Sequence, residues 1–132
     1  NNTVQFEAQD KPPAGGVHFD RWLNCGVYTE AVETGNALHS LEHGAVWITY
    51  NPDLAADQVS RLQDRVSSQS FLILSPYPGQ QSPLVLTAWG VQLEVDAATD
   101  GRVDEFIQRF RLGPTTPELG AACEGGVGQP IS

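Results

Sequence analysis

Two histidines and a glutamate stand close together near the middle of the chain, in the run His39-Ser-Leu-Glu42-His43. The imidazoles are four residues apart, so a helix would place one above the other on the same face. Side chains at this spacing can chelate one metal ion. The third histidine of the chain, His18, follows a loop segment rich in proline and glycine, which suits an enforced backbone conformation.

The histidine count favours zinc or copper as the ion. Three neutral imidazoles with an open fourth position suit either metal, and the Irving–Williams order favours copper where it is available. The chain has no methionine, which disfavours a blue-copper centre with a thioether ligand. We therefore predict a copper or zinc site at His18, His39 and His43. In this site Glu42 is a ligand, a base that activates water, or an outer hydrogen-bond acceptor. The alternative is that the histidines form ordinary hydrogen bonds in a turn and at the surface.

The same run matches the H-x-x-E-H pattern of a class of zinc peptidases, in which the glutamate activates water. Those enzymes need a long helix, whereas Gly44 and the strand after it end this helix after about one or two turns. A serine nucleophile is also disfavoured, because there is no G-x-S-x-G motif and Ser40 would point away from the imidazoles. Metal binding or delivery without catalysis is therefore the first hypothesis. A small metal-dependent hydrolase with Glu42 as general base is the second, and a metal-free adhesion or assembly module built around Trp22 is the third.

The two cysteines, Cys25 and Cys123, lie far apart and in no C-x-x-C arrangement. If they pair, the disulfide closes nearly the whole chain into one loop and stabilises it by about 4 to 5 kcal/mol in the chain-entropy model. It would also hold a glycine-rich tail that has little other reason to be ordered, and it would imply an oxidising compartment. Two free thiols, or Cys25 as a metal ligand, are the alternatives.

Apolar patterning predicts four strands and two helices. The strands are expected at 45–50, 71–74, 84–89 and 91–95, and the helices at 54–66 and 103–110. The first two strands should be parallel because a helix connects them. The polar linker 78–83 predicts that the second and third strands form an antiparallel hairpin.

These elements predict an α+β fold, with a small mixed β-sheet of three to four strands packed by two helices on one face. The length of 132 residues allows a single domain. Residues 1–36 are predicted to form an ordered, irregular loop that wraps the core. Residues 37–112 form the α+β core, and residues 113–132 form a coil tail that the disulfide would hold in place.

The net charge restricts the kinds of partner that the domain can bind. Seven Lys and Arg against 16 Asp and Glu give a formal net charge of −9, so we expect no binding to nucleic acid and no contact of this domain with membranes. The expected partners are the metal ion and another extracytoplasmic protein. Because the chain lacks methionine even at position 1, we expect a signal or anchor upstream of it.

Several motifs in fixed order resemble one family. They are Pro12–His18, Cys25–Tyr28, His39–Gly44, Pro76–Pro78 and Leu86–Gly90. The chain resembles, from Pro12 to about Leu112, the uncharacterised bacterial family called domain of unknown function 3105. The resemblance implies an extracytoplasmic domain, periplasmic, cell-surface or secreted, with an N-terminal signal or membrane anchor. All three histidines fall within these motifs, which supports the metal-site prediction. The Pro-Pro-Thr-Ser-Gly run usual in that family is replaced here by Pro-Pro-Ala-Gly-Gly, so the loop offers its backbone and His18 rather than hydroxyl groups.

Overall fold

The computed structural model describes residues 11–15, 20–114, 116–118 and 121–132, and within them the chain forms five strands and three helices. In chain order they are β1 (Gly26–Val27), α1 (Thr34–Glu42), β2 (Val46–Tyr50), α2 (Ala56–Ser67), β3 (Leu72–Pro76), β4 (Leu84–Ala88), β5 (Val91–Val95) and α3 (Arg102–Phe110). The α+β class with a mixed sheet is therefore confirmed, with one strand and one helix more than the sequence predicts. None of the helices in these ranges is long and apolar enough to cross a membrane.

The five strands form one sheet in the order β1-β3-β2-β4-β5. β1, β3 and β2 run parallel, and β4 and β5 continue the sheet in antiparallel fashion. β2 lies at the centre, where Trp47 is in register with Ile73 on one side and with Thr87 on the other. Because β2, β3 and β4 are buried along nearly their whole length, the sheet supplies a rigid platform.

The predicted hairpin between the second and third long strands is wrong. Both edges of β3 are already paired, one with β1 and one with β2, so β4 adds to the free edge of β2 instead. The linker that makes this crossing is held down by Gln80, which is 1% exposed. Its side chain accepts a hydrogen bond from Thr49 Oγ1 at 2.6 Å and donates to Thr49 O at 3.1 Å. The polar linker is therefore hydrogen-bonded to the end of β2 and does not form a tight turn.

Both faces of the sheet are covered by helices. α2 and α3 pack on the face formed by alternate residues such as Ile48, Leu74 and Leu86, as the two-helix prediction requires. α1 packs on the opposite face, where Leu38 and Trp47 belong to a second buried cluster. α1 and β1 account for the additional elements, and both begin inside the segment 1–36 that the sequence predicts to be irregular.

The turn between α1 and β2 has the hydrogen bonds of a Schellman motif. Gly44 N donates to Leu41 O at 3.0 Å, and Ala45 N donates to Ser40 O at 3.1 Å. Gly44 has φ of 114°, a conformation that glycine adopts without steric cost. Gly44 O also accepts from Leu112 N at 2.8 Å. This turn therefore joins the end of α1 both to the sheet and to the C-terminal segment.

We expect Gly44→Ala to lower the free energy of unfolding by about 1–3 kcal/mol. A Cβ at this position would lie 2.7 Å from Leu112 Cδ2 and 3.2 Å from Leu112 Cα, and the backbone would be strained. The matched control is Gly101→Ala, because a Cβ there meets nothing within 4 Å and φ is −60°. The control should be neutral or stabilising by about 0.4–1 kcal/mol. Urea unfolding measures both, and equal effects would contradict the assignment of strain to Gly44.

Candidate functional site

The last turn of α1 carries both histidines of the central motif. The ring centroids of His39 and His43 are 4.7 Å apart at an interplanar angle of 81°. His43 is the C-cap residue and is only 3% exposed, whereas His39 is half-buried. The four-residue spacing therefore brings the two imidazoles together, as the sequence predicts for a helix.

The C-terminal tail is fixed beside this helix end by a disulfide between Cys25 and Cys123. Their Cα atoms are 5.4 Å apart, and Cys25 N donates to Cys123 O at 2.8 Å. Two further backbone hydrogen bonds follow, from Asn24 N to Val127 O at 2.7 Å and from Val127 N to Trp22 O at 2.9 Å. The disulfide confirms the predicted pairing and indicates a non-cytoplasmic environment.

Asn24 adds side-chain contacts to this pairing. Its Nδ2 donates to Gly128 O at 2.9 Å, and its Oδ1 accepts from Gly126 N at 2.7 Å. The Tyr28 hydroxyl donates to Asn24 O at 2.6 Å. Burial raises the pKa of Tyr28 to about 12, so this hydroxyl stays neutral and remains a donor at physiological pH. The tail is therefore held by hydrogen bonds rather than by apolar packing alone.

The tail brings two polar groups to His43. Ala122 O lies 2.6 Å from His43 Nδ1, and Glu118 Oε1 lies 3.5 Å from His43 Nε2. Glu118 is anchored through its own backbone, because its N–H donates to Glu42 O at 3.0 Å. One ligand atom each from His39, His43 and Glu118 lies within 4.8 Å of the others. These three side chains form the cluster that we call the His–Glu cluster.

The hydrogen bond to Ala122 defines the tautomer of His43. A carbonyl oxygen can only accept, so Nδ1 must carry the proton, and in the neutral imidazole Nε2 then bears the lone pair. That lone pair faces a carboxylate oxygen of Glu118, which is also an acceptor. Two acceptors at this distance repel unless a proton or a metal cation lies between them. Metal-binding histidines in proteins typically have this arrangement, with the second ring nitrogen donating to a carbonyl or carboxylate.

Trp22 covers the imidazoles from the side. Its ring centroid is 5.8 Å from that of His39 and 5.0 Å from that of His43, and its Nε1 donates to Glu124 O at 3.0 Å. Trp22 is half-buried, and among the described residues the exposed large apolar side chain is Ile131. Trp22 therefore packs beside both imidazoles and is itself only partly exposed.

The spacing of the His–Glu cluster fits a small divalent ion after modest closure. Zn–N and Zn–O bonds of about 2.0–2.1 Å put tetrahedral ligand atoms about 3.3 Å apart. The 3.5 Å between His43 Nε2 and Glu118 Oε1 is already close to this value. The other ligand-atom pairs of the cluster lie within 4.8 Å, so at most about 1.5 Å would have to be closed by side-chain rotation.

The predicted site residues have different outcomes. The structure brings His39 and His43 together, while His18 lies outside the described residues. Glu42 contributes its backbone carbonyl to Glu118, and its carboxylate is not a member of the His–Glu cluster. Cys25 is bonded to its partner cysteine, so it offers no thiolate to a metal.

Sequence reasoning missed Glu118, which stands 75 positions beyond His43. No local pattern marks this residue. The available signal was indirect: a disulfide that fixes Cys123 beside Cys25 also brings the acidic residues of the tail close to the segment that precedes α1.

Ser40 lies between the two histidines and has a structural role. It is 0% exposed, its Oγ donates to Leu23 O at 2.5 Å, and it accepts from Leu23 N at 2.9 Å. These hydrogen bonds attach the segment containing Trp22 to α1. A hydroxyl that is buried and engaged in this way is not available as a nucleophile, in agreement with the sequence analysis.

We expect Ser40→Ala to lower the free energy of unfolding by about 1–3 kcal/mol, because it leaves the buried Leu23 carbonyl without this donor. The matched control is Ser68→Ala, whose exposed hydroxyl donates to Arg65 O at 2.7 Å. That control should change stability by less than about 0.5 kcal/mol. Urea unfolding compares the two variants. An equal decrease in the free energy of unfolding would contradict a specific stabilising role of the hydrogen bonds between Ser40 and Leu23.

The comparisons with known proteins agree with the motifs. No curated protein and no solved structure matches the chain. A family model described as "Protein of unknown function (DUF3105)" matches residues 1–125, which is nearly the whole sequence. The chain therefore belongs to the DUF3105 family.

Proposed function

We propose that this chain is an extracytoplasmic metal-binding domain that holds a divalent zinc or copper ion at the His–Glu cluster, in binding or delivery rather than catalysis. The observation that carries the proposal is the environment of His43. Its Nδ1 is hydrogen-bonded to Ala122 O, and its Nε2 faces the carboxylate of Glu118. A divalent cation bound between Nε2 and the carboxylate removes the repulsion between the two acceptors.

The ligand types favour zinc(II) or copper(II) over copper(I). Imidazole nitrogen and carboxylate oxygen suit the divalent ions, whereas copper(I) prefers soft sulfur ligands. The chain has no methionine, and both of its cysteines are bonded to each other. Two histidines and one glutamate leave a fourth position open on a tetrahedral ion, and His18 remains the sequence-predicted candidate for it.

Binding is favoured over hydrolysis because of where the acidic groups lie. A general base must reach the water that it activates. Glu118, the carboxylate that lies beside His43, is needed as a ligand and so does not supply that base. The mostly buried His43 and the exposed Glu118 give one fixed ligand and one adaptable ligand, an arrangement suited to capture and release of an ion.

The proposed location follows from the disulfide together with family membership. We propose that the domain lies in the periplasm, at the cell surface or outside the cell. An N-terminal signal would direct it there, or an N-terminal anchor would hold it at the membrane. Another extracytoplasmic protein is the expected donor or recipient of the ion. The net charge of −9 would favour the approach of metal cations.

Zinc titration of protein dialysed against a weak chelator tests the proposal. We expect one zinc per chain, and cobalt(II) should give the visible absorption of a tetrahedral site. His39→Ala and His43→Ala should each weaken zinc binding by at least about 100-fold, more than loss of an outer hydrogen-bond partner. Glu118→Gln should weaken it by at least about 10-fold, and His18→Ala reports whether the third histidine is a ligand.

The matched control is Glu105→Gln, an exposed carboxylate on α3, which packs on the opposite face of the sheet. This variant should bind zinc like the unmodified protein, and circular dichroism should show that every variant is folded. Absence of both stoichiometric zinc and stoichiometric copper(II), or a metal affinity that His39→Ala leaves unchanged, would refute the proposal.

A further inference from the structure

The Cys25–Cys123 disulfide lies at the junction of the two segments that complete the His–Glu cluster. Ala122, whose carbonyl accepts from His43 Nδ1, is the residue immediately before Cys123. Glu118 stands five positions before Cys123 in the same tail. The hydrogen bond from Cys25 N to Cys123 O continues the covalent link. The disulfide is therefore the covalent attachment of the segment that carries both polar partners of His43, and hydrogen bonds such as that from Glu118 N to Glu42 O support it.

The Trp22 side of the cluster depends on the same attachment. Trp22 is three residues before Cys25. Its Nε1 donates to Glu124 O, and its carbonyl accepts from Val127 N, so two of its polar contacts go to the tail. Without the tail, the indole would lose the contacts that hold its ring against the imidazoles.

A cavity lies beside the disulfide. Its volume is about 560 Å³, and both cysteines belong to its wall. One side is the end of α2 and the following loop, including the exposed Ser67 and Ser68, and the other is the tail around Ala122. Cys25 is half-buried and Cys123 is 8% exposed. Both cysteines therefore border a cavity, although Cys123 also belongs to the buried cluster on the α1 face of the sheet.

We propose that the Cys25–Cys123 disulfide is a thiol–disulfide exchange site that controls metal affinity at the His–Glu cluster. This inference rests on the proposed function. The oxidised form holds the tail in place and binds the ion. Reduction releases the tail, removes Glu118 and the Ala122 carbonyl from His43, and leaves two imidazoles on α1 to hold the metal.

The exchange needs two reductant thiols, supplied by one dithiol (a small molecule or a protein with a cysteine pair) or by two molecules of glutathione. The first thiol, as its thiolate, attacks Sγ of Cys25, the more exposed of the two residues, and forms a mixed disulfide while Cys123 leaves as a thiolate. The second thiol of the reductant, as its thiolate, then attacks the mixed disulfide and releases Cys25. The reductant is oxidised by two electrons to its own disulfide, and its two thiol protons pass to the two cysteine thiolates.

The direct test measures zinc affinity of the oxidised protein and of Cys25→Ala/Cys123→Ala. We expect the double variant to keep the far-UV circular dichroism of the fold and to bind zinc at least about 10-fold more weakly, because outer-shell partners of a ligating histidine typically contribute 10–100-fold. Equal zinc affinity of the two proteins would overturn the switch. A double variant that has lost the spectrum of the folded sheet would also overturn it, because the effect would then be global unfolding.

The reciprocal test uses the unmodified chain in glutathione redox buffers. If the disulfide raises zinc affinity, zinc must favour the disulfide by the same factor. Saturating zinc should therefore lower the equilibrium constant for reduction of the disulfide by glutathione by at least about 10-fold. The matched control is His39→Ala at the same zinc concentration, which should show no shift and accounts for zinc bound by glutathione.

The two proposals fail in different ways. If the oxidised protein binds neither zinc nor copper(II) stoichiometrically, the proposed function is refuted, and the switch is refuted with it. If the oxidised protein binds zinc but zinc leaves the redox equilibrium unchanged, the switch alone is refuted and the metal site stands.

Discussion

The arrangement of the candidate site depends on one long-range constraint, the covalent link between Cys25 and Cys123 across a sequence separation of 98 residues. In the chain-entropy model a loop of this length contributes about 4 to 5 kcal/mol by restricting the unfolded chain, which is a large share of the net stability of a small domain. The tail beyond Pro117 has too few apolar residues to fold onto the sheet by burial alone. Once the link forms, each backbone hydrogen bond between the tail and residues 22–25 costs little further entropy, because the two segments are already side by side.

The same constraint explains why a polar site exists at the end of α1. The buried cluster on the α2–α3 face of the sheet contains no residue of the tail, whereas the cluster on the α1 face includes Cys123. The turn at Gly44 then ends α1 with His43 pointing toward the tail rather than into the core. A buried imidazole there needs partners, and the tail supplies them through a backbone carbonyl and a carboxylate. The chemistry of the site is therefore assembled from a rigid part and an attached part, each determined by different interactions.

The sequence predicts most elements of the sheet and its helices, and it misses the contacts that the attached tail makes. The apolar runs identify β2 to β5, α2 and α3, because period and burial are local properties. The pairing of β4 with β2 was not predictable, because it depends on β1, a strand of two residues that has no recognisable pattern and occupies the free edge of β3. The spacing of His39 and His43 identifies two members of the cluster, because residues four apart lie on the same face of a helix. Glu118 joins them only through the tail, so no pattern within its own segment could indicate it.

The division between rigid and attached parts also bears on what kind of metal site the cluster would be. Ligands built entirely on helices and strands hold an ion in fixed geometry, and release then requires local unfolding. Here His43 is fixed by burial, whereas Glu118 is exposed and belongs to a segment fastened by one disulfide and a few hydrogen bonds. Removing a single ligand from the ion would need movement of the tail alone, at a cost well below that of opening the sheet. Under our proposal, the low apolar content of the tail is therefore functional: a tail packed by apolar side chains would hold Glu118 more firmly, and would make the ion correspondingly slower to leave.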